Sequence, residues 1–333
     1  MPRRSRIDAF GALHHVIVRG IERREIFIDD TDRDRFLDRL RKVLLETDTQ
    51  CYAWALIPNH FHLLLKIGTT PLSTVMRRLL TGHAIYFNRR HKRSGHLFQN
   101  RYRSILCQEE TYLLTLVRYI HLNPLRAGLV DSLDLLDRYP YAGHSVLLGW
   151  KANDWQETDF VLKHFGTRSS DARRNYRGFV EQGVSLGNRP ELTGGGLVRS
   201  AGGWKALKKQ RKAKANIKGD ERILGDSHFV DRSLKYANEQ LERKYRIQSE
   251  GYDIDRLAAS VAHQMKVPVE AVFAAGKNRR TVRARSVLCY WAVRECAMTM
   301  SSLAERLGIS IAAVSQSVKR GEKIAVEEEY KLT

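Results

Sequence analysis

The alternation of apolar and polar positions in the first 125 residues changes period several times, and each change predicts a new element. Residues 12–19 are rich in β-branched side chains, as strands are, and Gly20 follows them as a turn residue. Phe36, Leu40 and Leu44 recur at helical spacing. By these criteria the predicted strands are 12–19, 51–57, 60–67 and 101–107, and the predicted helices are 31–46, 72–90 and 109–122.

The resulting order, β-α-β-β-α-β, predicts an α+β fold of the ferredoxin-like type, which is an antiparallel sheet with helices on one face. A Pro58–Asn59 turn joins the second and third strands as a hairpin. We expect the other sheet face to be available for chemistry, with helix 109–122 supplying reacting groups to it.

Beyond residue 130 the pattern is helical, with apolar periodicity at 157–165 and 171–181. A later stretch combines glycines with lysines and arginines and has few large apolar residues, which is typical of a basic linker. The predicted domains are an α+β domain at 1–145, a helical extension at 146–192, a Gly/Lys-rich linker at 193–222 and an all-helical domain at 223–333.

The end of the chain contains a candidate helix-turn-helix. Ser301–Leu307 would form its first helix, Gly308 the turn, and Ser310 the cap of a second helix that runs to about Arg320. A plain helical bundle would show the same pattern. If the pair does enter a major groove, the groove-facing positions are Ala312, Ala313, Ser315, Gln316 and Lys319.

Composition favours a nucleic-acid partner. The formal net charge is +20, from 57 Lys and Arg against 37 Asp and Glu, and so basic a chain commonly meets phosphate backbones. A ribosome-associated protein or one that binds anionic membranes would share this charge. The four cysteines form no Cys-x-x-Cys pair, and no apolar run reaches membrane-spanning length. We therefore expect a soluble, cytoplasmic protein.

His60-Phe61-His62 is the stretch with the clearest chemistry. Successive side chains of a strand point to opposite faces, so the two imidazoles share one face while Phe61 joins the core on the other. Imidazole is a common ligand of divalent metals. The tripeptide by itself is a weak signal, because a strand that turns two histidines toward solvent is an ordinary feature.

Tyr119 and Asn123 lie one turn apart on the flank of helix 109–122. Each has a plain structural interpretation. A tyrosine beside an apolar stripe often packs, and Asn123 before Pro124 is a favourable N-cap for a short turn at 124–127.

The motifs together resemble those of the single-tyrosine transposases of the HUH superfamily, and most of all the REP-associated tyrosine transposases. The resemblance covers about residues 10 to 145. It is carried by four segments in order: Arg19-Gly20, His60-Phe61-His62 with Leu63 to Leu65, Gly95 to Tyr102, and Arg118 to Pro124. Residues 282–324 are also similar to the DNA-binding domain of the replication initiator DnaA.

The first resemblance implies cleavage and rejoining of single-stranded or hairpin DNA. It implies that His60, His62 and Asn123 hold Mg²⁺ or Mn²⁺, and that Tyr119 is the nucleophile that forms a 5′-phosphotyrosine. Basic and aromatic residues beside this face suit a single strand. The candidate DNA contacts are Arg19, Arg23, Arg24, Arg101, Tyr102 and Arg103, with Ser315, Gln316 and Lys319 as contacts to duplex DNA.

Two other functions stay open at this point. A catalytically inactive DNA-binding regulator could keep the fold, and a replication or mobilisation relaxase would share the chemistry. The sequence leaves the oligomeric state, monomer or homodimer, undecided.

Overall fold

The computed structural model describes residues 7, 11–68, 70–187, 189, 192, 219–249, 252–276, 278–296 and 298–332. By its internal contacts the chain divides into two units, Met1–Lys235 and Tyr236–Thr333.

A mixed sheet forms the centre of the first unit. Among the described residues it has five strands in the order β2-β3-β1-β4-β5. All neighbouring pairs are antiparallel except β4 and β5, which are parallel. The strands are β1 Leu13–Arg19, β2 Gln50–Ile57, β3 His60–Lys66, β4 Arg103–Cys107 and β5 Ile223–Leu224.

The predicted β-α-β-β-α-β order is confirmed, and the additional helices follow β4. Helices of the first unit are α1 Asp30–Thr47, α2 Leu72–Arg90, α3 Glu109–His121, α4 Asn123–Arg126, α5 Leu133–Arg138, α6 Gly143–Leu148, α7 Thr158–Leu162 and α8 Ser169–Glu181. The ninth helix, α9 Ser227–Ser249, extends across the boundary between the units.

Both faces of the sheet are covered, which corrects the expectation of an open face. Phe61, Leu63 and Leu65 of β3 pack with α1 and α2 in one core, as strand alternation predicts. Leu64 projects the other way into a second core, where α3 and α6 to α8 lie over the sheet. The histidine side of β3 is therefore largely enclosed, and His62 is only 4% exposed.

β5 is a second departure, because it begins the segment that was expected to be entirely helical. The amide of Leu106 donates to the carbonyl of Arg222 at 2.7 Å, and the amide of Gln108 donates to that of Leu224 at 2.8 Å. Leu192 and Leu224 are both buried in the core of the first unit. Most of the expected linker lies outside the described residues, and the boundary between the units falls at 235–236.

The second unit is helical in its described part. Its remaining helices are α10 Ile254–Met265, α11 Val269–Phe273, α12 Arg279–Arg294, α13 Met300–Leu307 and α14 Ile311–Glu327. Gly308 ends α13 in the left-handed conformation at φ 61°, and the Ser310 side chain accepts the amide of Ala313 at the start of α14. Both features match the sequence pattern, although α14 runs beyond Arg320. Among the described residues, no helix is long and apolar enough to span a bilayer.

Candidate active site

The strand register brings the predicted chemistry to one end of the sheet. Ile17 of β1 pairs with His62 of β3 on one side and with Arg103 of β4 on the other. Arg19 pairs with His60 one step further along. Paired residues project to the same face, so these side chains form a band across three strands.

α3 closes this band into a cavity of about 410 Å³. Its lining residues are Ile17, Arg19, His60, His62, Gln99, Asn100, Arg101, Arg103, Tyr119 and Asn123. The structure thus brings together the two histidines, the tyrosine, the asparagine and three of the expected arginines.

Both candidate histidines have one ring nitrogen engaged within the protein. His60 Nδ1 lies 2.6 Å from Asn59 Oδ1, and His62 Nδ1 lies 2.9 Å from Nε2 of His15. Burial, together with the charge of Arg19, lowers the pKa of His60 to about 4. Burial likewise lowers the pKa of His62 well below its ordinary value. Near neutral pH both rings are uncharged, and each keeps Nε2 outside these contacts.

Tyr119 is 8% exposed and packs with the second core, yet its ring also faces the histidines. Its centroid lies 6.0 Å from that of His62 and 6.0 Å from that of His15, in edge-to-face geometry. The Arg126 guanidinium lies 5.3 Å from the Tyr119 centroid. Tyr119 therefore packs in the second core and lines the cavity at the same time.

The position of Asn123 before Pro124 suggested an N-cap for the turn that follows. The structure shows that Asn123 is not that cap. It is the first residue of α4, and its Nδ2 donates back to the carbonyls of Tyr119 at 3.0 Å and Ile120 at 3.2 Å. Because those oxygens only accept, the amide group must turn its NH₂ toward α3. Oδ1 is the polar atom left for the cavity.

The rim of the cavity comes from the loop before β4. The amide of Gln99 donates to the carbonyl of Arg19 at 3.0 Å, and the amide of Ile21 donates to that of Leu97. These bonds hold Gln99 and Asn100 beside the end of β1. The motif from Gly95 to Tyr102 contains both residues, but the sequence alone predicted no role for either. It also predicted none for His15, because its contact with His62 depends on strand register.

Three expected DNA contacts lie elsewhere. Arg23 and Arg24 are exposed on the turn after β1 and do not line the cavity. Tyr102 is 7% exposed and packs in the core beneath α1 and α2, so a base could stack on its ring only after that core had opened.

Part of this chain matches a known protein family. The family model described as "Transposase IS200 like" matches residues 9–123, a span that contains the two histidines, Tyr119 and Asn123. Residues 9–123 belong to the IS200-like transposases, and we call this segment the transposase domain. Transposases act on DNA, so this domain is assigned a general role in DNA processing.

Seven chains of solved structure match as well. A REP-associated tyrosine transposase bound to a REP hairpin aligns with 18% identity over 47% of this chain and 94% of its own, at a TM-score of 0.38. A candidate transposase from Deinococcus radiodurans R1 aligns with 19% identity over 35% and 95%, at 0.27. No curated protein matches.

The donor set of the transposase domain suits a divalent cation. Two neutral imidazoles and one amide oxygen are compatible with Mg²⁺ or Mn²⁺ and leave further coordination positions for phosphate oxygens. In the described part of the chain, no cluster of three or more His, Cys, Asp or Glu offers an alternative site.

A buried chain of hydrogen bonds ties α3 of the transposase domain to the helices behind it. His144 Nε2 lies 2.9 Å from Asp137 Oδ1, and the Tyr176 hydroxyl lies 2.7 Å from the Nδ1 atoms of both His144 and His121. Burial lowers the pKa of His144, so the neutral ring donates from Nε2 to the carboxylate and accepts from Tyr176. The Tyr176 oxygen must then accept from His121, two residues after Tyr119.

Proposed function

We propose that the transposase domain cleaves and rejoins single-stranded DNA through a covalent 5′-phosphotyrosine on Tyr119. The supporting observation is the convergence of His60, His62, Tyr119 and Asn123 on one cavity although they come from two separate elements and a helix junction. A cavity with a tyrosine beside neutral imidazoles and arginines suits phosphoryl transfer, in which positioning and charge stabilisation dominate.

His60, His62 and Asn123 would hold Mg²⁺ or Mn²⁺ through Nε2, Nε2 and Oδ1. Bound there, the cation would withdraw charge from a non-bridging oxygen of the scissile phosphate. Arg19, Arg101 and Arg103 line the same cavity, and their guanidinium groups would bind phosphates of the strand and orient it.

In the first step the Tyr119 oxygen forms a bond to phosphorus as the bond to the 3′-oxygen breaks. The tyrosine loses one proton and the 3′-oxygen gains one. Because a phosphodiester is exchanged for a phosphotyrosine, the reverse attack by a 3′-hydroxyl can rejoin DNA without a nucleotide triphosphate.

The second unit would add a duplex-DNA contact. Gln316 and Lys319 are exposed on α14 and Ser315 is half-buried there, which is the arrangement expected of a recognition helix. The single-stranded or hairpin substrate remains the partner of the first unit, and this contact would add affinity for neighbouring duplex.

The test is adduct formation on a library of single-stranded hairpins labelled at the 5′ or the 3′ end. The full chain with Mg²⁺ or Mn²⁺ is expected to form an adduct that resists denaturation. The adduct should carry the 3′-end label, because a 5′-phosphotyrosine holds the DNA segment on the 3′ side of the cut, and a chelator should prevent its formation. Tyr119→Phe should reduce the adduct by at least about a thousandfold, since it removes the nucleophilic oxygen.

Tyr112→Phe is the matched control, because Tyr112 lies on the same helix and does not line the cavity. It should react like the unaltered chain. Binding of the library without any adduct under either metal would contradict the proposal and favour a DNA-binding regulator on the same fold.

A further inference from the structure

Asn59 stands between a turn and the candidate ligand His60. Its Oδ1 lies 2.6 Å from His60 Nδ1, and its Nδ2 donates to the carbonyl of Arg23 at 3.1 Å. One amide group thus connects the turn after β1 to the imidazole at the start of β3.

These contacts determine which nitrogen of His60 carries the proton. A carbonyl oxygen can only accept, so Arg23 requires the NH₂ of Asn59 to face it. Oδ1 then faces His60 and can only accept, so Nδ1 must donate. The neutral ring is left with a lone pair on Nε2, the nitrogen outside this contact.

The equivalent contact of His62 carries no such direction. Its Nδ1 lies 2.9 Å from His15 Nε2, and either ring can donate in that pair. Of the two candidate ligands, His60 is the one whose tautomer is selected by a neighbour of determined orientation.

The turn that presents the Arg23 carbonyl is strained and firmly held. Glu22 and Arg23 adopt positive φ angles of 52° and 63°, a backbone conformation that residues other than glycine rarely adopt. The amide of Gly20 donates to the carbonyl of Asn59 at 2.8 Å, and a Cβ at Gly20 would collide with the carbonyl of Arg24. Backbone strain that is held in place by surrounding hydrogen bonds, next to a residue proposed to bind a metal, is characteristic of a pre-organised site.

We propose that Asn59 is a positioning residue that holds His60 as the Nδ1–H tautomer and thereby presents Nε2 to the divalent cation. This inference rests on the proposed function, since it concerns the same cation. Outer partners of metal-binding histidines act in this way, and their loss commonly weakens metal affinity about 10–100-fold.

The test is Mn²⁺ binding to the full chain, measured by electron paramagnetic resonance without DNA. Asn59→Leu has no acceptor and should raise the Kd about 10–100-fold. Asn59→Asp keeps an acceptor for His60 but loses the donor to Arg23, so it should stay within about threefold of the unaltered chain. Asn88→Leu is the matched control, because the Asn88 amide also donates to a turn carbonyl, that of Gly95.

Equal loss in Asn59→Leu and Asn59→Asp would overturn the proposal, because it would show that Asn59 only clamps the turn. Unaltered affinity in a folded Asn59→Leu would overturn it too. If the unaltered chain itself binds no Mn²⁺, the proposed cation site fails and this inference fails with it.

The tautomer can also be read without altering Asn59. Long-range ¹H–¹⁵N correlation spectra of the histidine-labelled chain, with His60 assigned through His60→Gln, should show the proton on Nδ1. A proton on Nε2 would overturn the proposal even if every variant fails to fold.

Discussion

The two units of this chain bury different kinds of side chain. Eleven of the twelve histidines precede residue 236, and five of them, His14, His15, His83, His121 and His144, are at most 1% exposed. The second unit has one histidine, which is exposed, and the core of its described part is built of Leu, Val, Ala, Ile, Cys and Trp side chains.

The difference shows what each kind of core demands from the fold. An apolar side chain is satisfied by any close-packed neighbour, whereas a buried imidazole needs a partner of the right polarity at the right distance. The first unit supplies such partners from distant segments, as Ser104 does for His14. Its stability should therefore depend on proton concentration and on single polar atoms far more than that of the second unit.

The largest expected consequence concerns pH. Burial lowers the pKa of His14 and of His83 to about 4, from an ordinary value of 6.5. Between these values the unfolded chain binds protons that the folded chain does not, so stability is complete above about pH 6.5 and falls as the pH drops toward 4. At pH 5 each of these histidines should cost about 2 kcal/mol of unfolding free energy.

Urea unfolding at pH 7 and pH 5, resolved by pulsed hydrogen exchange of peptides from each unit, checks this prediction. The first unit should lose several kcal/mol while the second changes little. Equal losses in both units would break the comparison.

A smaller effect is expected from Tyr176→Phe. Loss of the hydroxyl leaves Nδ1 of His144 without its donor and Nδ1–H of His121 without its acceptor in a buried environment. This should destabilise the first unit by about 1–3 kcal/mol. Urea midpoints measure the change.

Tyr139→Phe is the corresponding control, since that half-buried hydroxyl makes only a 3.5 Å contact to the carbonyl of Leu56. It should cost less than about 0.5 kcal/mol. If the two variants are equally stable, the hydrogen-bond chain is not a stabilising feature.

The smallest effect is expected on the surface of the second unit. Lys319→Ala should weaken binding to duplex DNA about three- to fivefold near 0.1 M salt and reduce the salt slope by about one, as loss of one phosphate contact does. Lys331→Ala removes the same charge from an exposed position outside α14. Fluorescence anisotropy titrations that show equal losses in both variants would argue against α14 as the DNA-reading helix.

Local patterns predicted much of this protein. The Gly308 turn, the Ser310 cap and the bounds of α1 and α2 follow from short-range spacing, and the structure places them within a residue or two of the expectation. Alternation along β3 likewise separated Phe61, Leu63 and Leu65 from the histidines. Such features depend on neighbours within a turn or a strand pair, which the sequence lists directly.

Features that depend on distant partners could not be predicted in this way. The sequence did not show that helices would cover the second sheet face, that β5 would return to the edge beside β4, or that Tyr102 would be buried. Nor did it show that Asn123 would donate to α3 instead of capping the next turn.

By itself, then, the sequence determined which elements form and which residue types share a face, because both follow from the periods of helix and strand. The tertiary structure alone decided how far the site is covered, which nitrogen of each candidate histidine is engaged, and that the Asn59 amide contacts both Arg23 and His60. Those properties depend on register and on the polarity of groups that meet only after folding, such as the carbonyl of Arg23 and the amide of Asn59.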